Sequence, residues 1–365
     1  MAVRTVTFAS RECEAFVREV KQRHDEYFRN LGISNKANAA MVTKTVVLIA
    51  AMVLPYLAIM ILQPSPWIMW ALAAFMGVAM AGIGFSVAHD ALHGAYSESP
   101  VVNGALGACF DVLGANGYMW KVTHNVIHHT YTNINGLDED LEVSPLLRLS
   151  VRAPHRKVHR FQHLYALGAY AMSTLNWVFW KDFDYFTRRR LGPYEGRRHA
   201  AREWVFLALG KGFYFTWAIV LPLTLLDLAW WQVAIGFLTM NFVASIILGV
   251  VFQLAHVVEG VEQLVPDEHG MMEHSWMVHE MLTTANFSTH NRLLTWYVGG
   301  LNYQVEHHLF PKTCSVHYPA LGKIVREVAL KHGIPYRENP TFFGAVRSHF
   351  AMLKLLGQGY MPAAV

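Results

Sequence analysis

Charged residues are scarce in this chain. Only 15% of its 365 residues are Asp, Glu, Lys or Arg, whereas 53% are hydrophobic; soluble domains ordinarily carry about 25% charged residues. This shortage argues against an ordinary soluble protein and favours a chain whose surface is covered by lipid. The formal net charge of +4 does not indicate nucleic-acid binding, and it is compatible with weak attraction to an anionic lipid leaflet.

Cysteine is also rare, and several common motifs are missing. The three cysteines, Cys13, Cys109 and Cys314, form no CxxC pair and show no zinc-site spacing, so we interpret them as unpaired thiols. There is no convincing GxGxxG nucleotide-binding motif. No apolar segment typical of a signal peptide lies within residues 1–30.

Long apolar runs, by contrast, occur four times. A membrane-spanning helix needs about 20 residues, and the predicted spans are residues 45–62, 67–88, 204–226 and 230–255. Short turns join them into two hairpins, and prolines break the helix at the first turn. Lys211 lies within the third span, so we expect either that its side chain snorkels or that the helix starts later.

Basic residues predict the orientation. Lys and Arg are absent from both short turns, but they are frequent before the first span and in residues 120–203 and 257–365. The positive-inside rule therefore places both termini and the middle region in the cytoplasm. Two weaker apolar stretches, residues 101–119 and 164–180, are predicted to lie at the interface or on the cytoplasmic domain.

These patterns predict an all-α integral membrane protein. Its four transmembrane helices form two hairpins, and a cytoplasmic helical domain holds the functional residues. The predicted divisions are an N-terminal cytoplasmic segment (1–44), a membrane domain (45–340) and a C-terminal cytoplasmic segment (341–365).

Histidine is abundant, with 20 residues, and most of the notable ones are clustered. The segment 89–93 reads HDALH and follows the second span, 124–129 reads HNVIHH, and 304–308 reads QVEHH; His256 ends the fourth span. Residues four apart share one face of a helix, so paired imidazoles could reach one metal ion. All these histidines fall on the predicted cytoplasmic side.

Their number and chemistry indicate a metal centre. Imidazole binds zinc, copper, iron and nickel, and the lack of nearby cysteines disfavours thiolate-bound zinc or iron–sulfur sites. Eight histidines are too many for one ion with an open position and suit two ions. Histidine-bound iron in a membrane protein indicates oxygen activation. The candidate ligands are His89, His93, His124, His128, His129, His256, His307 and His308.

Other residues near the clusters are candidates for a supporting role. A metal-bound imidazole usually donates its second N–H to a carboxylate or carbonyl group. The acidic candidates are Asp90, Asp138, Glu139, Asp140 and Glu306. His279 and His290 precede the third cluster closely, and we interpret them as surface residues or as further support for the metal site.

With these clusters in view, the sequence resembles the membrane fatty-acid desaturase family. The matching segments are 89–94, 124–133 and 300–311, together with 284–287, which contains Asn286. The resemblance covers about residues 45–340. It implies a four-span bundle that holds two iron ions on its cytoplasmic side and uses O2 as a co-substrate. In that family the matching histidines are the iron ligands, with His256 as an additional ligand.

Gln304 stands where many members of the family have the first histidine of the third cluster. A glutamine there is similar to the front-end desaturases, which act between an existing double bond and the carboxyl end of the chain. It is similar also to some sphingolipid desaturases. Gln304 is thus a candidate for a metal ligand or for a neighbour of the ligands.

Many front-end members carry a fused cytochrome b5 domain with a His-Pro-Gly-Gly haem motif. This sequence has no such motif, and the 44 residues before the first predicted span are too few for the domain. We therefore expect this chain to bind no haem or nucleotide, and a separate donor such as ferredoxin or cytochrome b5 to supply electrons. The basic segments 188–190 and 197–198 could dock an acidic donor, or else contact lipid headgroups.

Several alternatives stay open at this point. The acyl substrate could be carried by CoA, by acyl carrier protein or by an intact lipid. The same di-iron chemistry could hydroxylate an acyl or sphingolipid chain or form a triple bond. A membrane metal transporter is a non-enzyme alternative, but it predicts ionisable residues along the spans. The missing cytochrome domain favours a bacterial inner membrane as the location.

Overall fold

The computed structural model describes residues 6–9, 13–141, 145–196 and 198–360. Most of these residues are helical, which confirms the all-α prediction. The helices are α1 (Glu14–Leu31), α2 (Ala39–Leu62), α3 (Pro66–Leu92), α4 (Pro100–Val112), α5 (Gly117–Trp120), α6 (Gln162–Ala171), α7 (Ser173–Asn176), α8 (Asp182–Thr187), α9 (Ala201–Leu225), α10 (Trp230–His256), α11 (Trp276–Thr283), α12 (Arg292–Tyr297), α13 (Gln304–Leu309), α14 (Tyr318–Lys331) and α15 (Phe342–Gly357).

Strands are confined to short pairs within the described residues. Their bounds are β1 (Thr7–Phe8), β2 (Arg190–Leu191), β3 (Tyr194–Glu195), β4 (Met271–Met272), β5 (Asn286–Phe287) and β6 (Glu338–Asn339). β1 pairs with β4 and β5 with β6 in parallel, whereas β2 and β3 form an antiparallel hairpin. The β5–β6 pair holds the segment before the third histidine cluster against the chain that enters α15.

Helices α2, α3, α9 and α10 are long and apolar enough to cross a membrane, which confirms the four spans in two hairpins. The first helix begins at Ala39 rather than residue 45, because the Asn38 side chain accepts a hydrogen bond from Met41 N at 3.1 Å and caps it. The second continues past residue 88 to Leu92. That extension places His89 on the span itself.

The two hairpins pack through α3 and α10 and are joined at their tips. At Gly77 a Cβ atom would lie 2.5 Å from the Met240 carbonyl oxygen, so the glycine permits close approach of the two helices. At the turns, the Gln63 amide donates to Leu225 O at 3.1 Å. Both hairpins therefore form one bundle, with the turns at the end opposite His89 and His256.

The two weaker apolar stretches form short helices. Residues 101–119 fold mainly into α4 and the start of α5, and residues 164–180 into α6, α7 and a π-helical turn at Trp177–Lys181. None of these helices is among those long enough to cross a membrane. They pack around the ends and sides of the bundle.

The structure contradicts both expectations for Lys211 in the third span. The helix begins ten residues before it, at Ala201, and the Lys211 side chain is buried instead of snorkelling. Its Nζ lies 2.6 Å from Asp182 Oδ2 and donates to Gly114 O at 2.7 Å. The ammonium group therefore joins α9 to α8 and to the loop after α4.

Helices outside the bundle cover its histidine-bearing end. α11, α13 and α14 pack together with α1, whose Phe16 and Val20 are fully buried. α15 packs against α6 and α10. The predicted terminal segments thus contribute packed helices; the ends of the chain at residues 1–5 and 361–365 lie outside the described residues.

Candidate metal centre

All eight predicted ligand histidines converge at one end of the bundle. In each of three groups, one candidate ligand atom per residue lies within 4.8 Å of the others. The groups are His89, His93, His124 and His307; His128, His256 and His308; and His129, His307 and His308. The third group joins the first two, so the arrangement is two adjacent sites with shared neighbours. All eight side chains are buried.

π-helical turns explain how neighbouring histidines enter the same cluster. The segment Lys121–His128 is π-helical, and His129 N–H donates to His124 O, five residues earlier, at 3.1 Å. Such a wider turn brings residues five apart closer to one side than an α-helix does. The α-helical spacing rule predicted the His124–His128 pair and placed His129 one residue round the helix; the wider turn brings all three imidazoles together.

Carboxylates fix the orientation of three imidazoles from outside the cluster. Asp140 lies 2.8 Å from His124 Nδ1, and Asp138 lies 2.9 Å from His128 Nδ1. Glu280 on α11 lies 2.7 Å from His308 Nδ1. These contacts hold Nδ1 outward and leave Nε2 of each ring directed elsewhere, which is how carboxylates orient metal-bound histidines.

The histidine ring nitrogens that face the interior of the cluster are the atoms that a metal ion would bind. Each of the eight histidines has at least one buried ring nitrogen without a hydrogen-bond partner in the protein, including Nε2 of His124, His128 and His308. Buried polar atoms are normally paired, and such a concentration of orphaned acceptors requires a ligand. An all-nitrogen donor set fits transition metals that bind imidazole.

Burial also keeps most of these rings in the form that binds metal. It lowers the pKa of His124, His129, His307 and His308 well below the usual range, and neighbouring imidazoles add to the effect. Burial lowers the pKa of His128 too, but Asp138 outweighs it and the net direction is upward. Neutral imidazole has a free lone pair, so these rings are ready to ligate.

Asp90 and Glu139 make their hydrogen bonds outside the histidine cluster. Asp90 Oδ2 accepts hydrogen bonds from Ser315 N and Oγ, at 3.0 and 2.8 Å, and its Oδ1 lies 3.6 Å from His89 Nδ1. Asp90 therefore anchors the chain after the third cluster. Glu139 accepts from Gly192 N at 2.8 Å and contacts none of the eight histidines.

Glu306 and Asn286 form a buried pair beneath α13. The Asn286 amide donates to Glu306 at 2.8 Å, while its Oδ1 accepts from Val305 N at 2.9 Å. Burial raises the pKa of Glu306 to about 7. Both residues thus set the position of the helix that carries His307 and His308, without contacting their rings.

The remaining candidates lie in three different settings. Gln304 is buried at the start of α13, one turn before His308, on the same side of the helix. His279 is buried, and its Nε2 contacts Thr132 O at 2.8 Å, so it supports the loop after the second cluster. His290 is exposed and belongs to none of the three histidine groups.

Sequence reasoning missed two partners of the ligands. Glu280 is fully buried against His308 and also accepts from Thr132 Oγ1 at 2.9 Å; Tyr318 OH lies 3.2 Å from His307 Nδ1. Neither residue belongs to a histidine cluster, and no local spacing marks them. Only the packing of α11 and α14 against α13 brings them to the site.

Four membrane-length helices that end in a buried, carboxylate-supported set of imidazoles define a membrane metalloprotein. The model of the fatty acid desaturase family matches residues 65–340 of the sequence. The chain therefore belongs to the fatty acid desaturase family, as the sequence motifs predicted. It is accordingly an oxidoreductase, which contradicts the alternative of a metal transporter.

Named relatives agree with this assignment. The sn-1 linoleoyl-lipid 6-desaturase of Synechocystis sp. is 34% identical over 348 residues, covering 94% of this chain and 96% of the relative. The enzyme of the same name from Arthrospira platensis is 32% identical over 93% of this chain and 92% of the relative. The acyl-lipid (8-3)-desaturase of Physcomitrium patens is 31% identical, over 97% of this chain and 74% of the relative.

Proposed function

We propose that this chain is an O2-dependent, di-iron fatty-acyl desaturase. The observation that carries the proposal is the convergence of eight buried histidines, each with an unsatisfied ring nitrogen. His89, His93, His124 and His307 would hold one iron ion, and His128, His256 and His308 the other, with His129 between them. When bound, the iron pair supplies the oxidising power that removes one hydrogen from each of two adjacent methylenes.

The protein's own residues orient the histidine rings and exclude water from the site. Asp138, Asp140 and Glu280 hold three ligand rings in fixed orientations. Burial of the cluster excludes bulk water, so an oxidant formed there is protected from side reactions. An acyl chain has no polar handle near its reacting carbons, and its position must come from contacts along the rest of the chain.

We further propose that the enzyme is a front-end desaturase of lipid-linked acyl chains. Gln304 supports this assignment, because a glutamine at this place resembles that subgroup. The names of the relatives support it as well, since they describe desaturation at position 6 of a linoleoyl lipid and acyl-lipid (8-3)-desaturation. An acyl-lipid substrate is favoured over CoA or acyl carrier protein on the same ground.

Electrons would come from a separate donor such as ferredoxin or cytochrome b5. Each turnover removes two hydrogen atoms from the chain and reduces O2 to two waters, which requires two further electrons and two protons. Arg189 and Arg190 are exposed on the metal-site side and are candidates for donor docking, whereas Arg188 is engaged by Asp184. Arg197 lies outside the described residues. We place both termini and the metal centre in the cytoplasm, and the protein in a bacterial inner membrane.

The test is fatty-acid analysis by gas chromatography–mass spectrometry. A host would express the wild type, His128→Ala or the exposed control His269→Ala, and would be fed saturated, mono-unsaturated and di-unsaturated acids. A new double bond on the carboxyl side of an existing one, present in the wild type and control but absent in His128→Ala, supports the proposal. A hydroxylated or acetylenic product would overturn the reaction type.

A further inference from the structure

A second site lies beside the metal centre. An open cavity of about 660 Å³ is formed between the start of α2, helix α12 and the chain before α14. Its lining includes the basic side chains of Lys44, Arg292 and Lys323, together with His290. Among its lining residues, all within the described part of the chain, there is no Asp or Glu. The cavity is therefore cationic.

The cavity lies at the membrane interface on the metal-site side. Lys44 is near the start of span α2, and the antiparallel span α3 ends beside it with the histidine-bearing segment. Helix α12 is fixed to α3 because Tyr297 OH donates to Val78 O at 2.9 Å. Its Leu293 and Trp296 are exposed apolar side chains, as expected where a helix meets lipid.

Lys44 is buried without a direct hydrogen-bond or ion-pair partner among the described residues. Its side chain is only 6% exposed, yet its Nζ makes no hydrogen bond or ion pair with any residue that the structure describes. Asp90, on the neighbouring span, attracts the Lys44 ammonium group electrostatically but forms no direct ion pair with it, and Asp90 Oδ2 accepts hydrogen bonds from Ser315 and Cys314. A buried ammonium group without a direct partner is costly, and inside membrane segments such groups mark functional sites.

The other two cations form no ion pair with the described residues. Arg292 and Lys323 are exposed, and neither forms an ion pair with a carboxylate of the described chain. Three positive groups around one cavity, without an acidic neighbour in its lining, form an anion site. Basic pockets beside membrane helices on the cytoplasmic side bind phosphate-bearing lipid headgroups.

We propose that this cavity binds the phosphate ester of a membrane phospholipid, with Lys44 as its buried contact and Arg292 and Lys323 at its rim. Phosphate accepts strong, charge-assisted hydrogen bonds from such groups. Tyr303, which also lines the cavity, immediately precedes Gln304 of the third histidine cluster. Where the occupant is the desaturated lipid, which rests on the proposed function, the cavity holds its polar end near the metal site.

Native mass spectrometry of the detergent-purified protein tests this inference without requiring turnover. The wild type would be titrated with phosphatidylglycerol and, separately, with diacylglycerol, which has the same tails without phosphate. Lys44→Met should weaken phosphatidylglycerol binding at least about tenfold, the loss expected for a buried charge-assisted contact. The exposed control Lys354→Gln should bind as the wild type does.

Melting temperatures give a second test of lipid binding that does not depend on mass spectrometry. Without lipid, Lys44→Met loses the attraction between Lys44 and the buried Asp90, so its melting temperature without lipid is the baseline from which its own lipid response is measured. Phosphatidylglycerol should raise the melting temperature of the wild type more than that of Lys44→Met. A Lys44→Met protein that is destabilised without lipid, with an unchanged lipid response, would show that Lys44 is a structural residue and would overturn the proposal.

Competition separates the two sources of a phosphate group. Displacement of phosphatidylglycerol only by other phospholipids supports a lipid headgroup site, whereas displacement by micromolar coenzyme A or inorganic phosphate supports a phosphate site filled from solution. Equal binding of phosphatidylglycerol and diacylglycerol overturns the inference. That result would leave the desaturation proposal intact. Conversely, an enzyme that makes no desaturated product but still binds phosphatidylglycerol would contradict the desaturation proposal and leave the phosphate site standing.

Discussion

At the scale of single residues, the metal centre depends on which nitrogen of each imidazole faces inward. Asp138, Asp140 and Glu280 each lie within 2.9 Å of a histidine Nδ1. An N–H held by a carboxylate cannot rotate toward the ion, so Nε2 is presented instead. Three of the eight proposed ligand rings, those of His124, His128 and His308, therefore have a fixed orientation.

Glu280→Gln tests this orientation at a residue that no histidine motif contains. The amide oxygen can still accept the His308 N–H, but it carries no negative charge to strengthen that hydrogen bond, so we expect metal affinity to fall about 10- to 100-fold. Iron content measured by mass spectrometry after dialysis against graded chelator concentrations reports this loss. Glu259→Gln, at an exposed glutamate, is the matched control; equal iron retention in the two variants would remove Glu280 from the supporting set.

Gln304→His tests the selectivity assigned to the third cluster. Because Gln304 lies one turn before His308 on α13, a histidine there can face the same site, and we expect the variant to retain iron. The position of the new double bond should change or become mixed, as measured by fatty-acid analysis. Unaltered activity and regiochemistry would show that the glutamine does not select the bond.

At the scale of helices, the bundle contains one buried ion pair that joins spanning and non-spanning elements. Lys211 of α9 and Asp182 of α8 are each 5% exposed, and their charged atoms are 2.6 Å apart. Removal of one partner leaves the other charge buried and unpaired, which is far more costly than replacement of both.

Lys211→Met should therefore destabilise the protein by about 3–5 kcal/mol. The double variant Lys211→Met/Asp182→Leu should recover most of that loss, because neither partner then leaves the charge of the other buried alone. Thermal unfolding in detergent, followed by circular dichroism, measures both. A double variant that is as unstable as the single one would mean that the contacts of Lys211 with backbone carbonyls dominate.

Helix α15 depends on a neutral histidine. His349 is fully buried; its Nδ1 lies 2.8 Å from Val257 O, and its Nε2 lies 2.9 Å from Tyr170 OH. The carbonyl requires a protonated Nδ1, so Nε2 is the acceptor for the tyrosine. Burial lowers the pKa of His349 to about 4, because the charged ring would lose its hydration in the protein interior.

Stability should fall on acidification for this reason. The lowered pKa means that the native state resists protonation, so the contribution is complete above about pH 6.5 and is lost as the pH falls toward 4, to a total of about 2–3 kcal/mol. Unfolding of the wild type and of His349→Gln should be compared across this range. Identical pH profiles would show that other groups control acid stability.

At the scale of the whole molecule, the two hairpin turns and the metal centre lie at opposite ends of the bundle. Ser65 in the first turn and Glu195 in the β2–β3 hairpin are both exposed. In the orientation proposed above, the turns face the periplasm. A cysteine at residue 65 should react with a membrane-impermeant maleimide in intact cells, whereas one at residue 195 should react only after permeabilisation; the reverse pattern would invert the topology. Wild-type cells supply the background from the three native cysteines.

Much of this architecture could be predicted from sequence. Apolar length revealed the four spans, and the three histidine clusters revealed seven of the eight residues that converge, while the family resemblance added His256. The misplaced start of α2 has a physical reason: Lys44 reads as the edge of an apolar run, yet it is buried inside the helix. Glu280, Tyr318 and the partner of Lys211 could not be predicted, because each acts through a contact between elements distant in sequence.

The π-helical turns before His89 and within the second histidine cluster have a further implication. A π turn holds one residue more than an α-helical turn, and each residue of an α-helix rotates the chain by about 100°. Loss of a single residue from Ile83–Ala88 or Lys121–His128 would turn every later imidazole away from its neighbours without changing any ligand. The lineage of this enzyme should therefore tolerate exchange of apolar side chains in these segments far more readily than any change in their length.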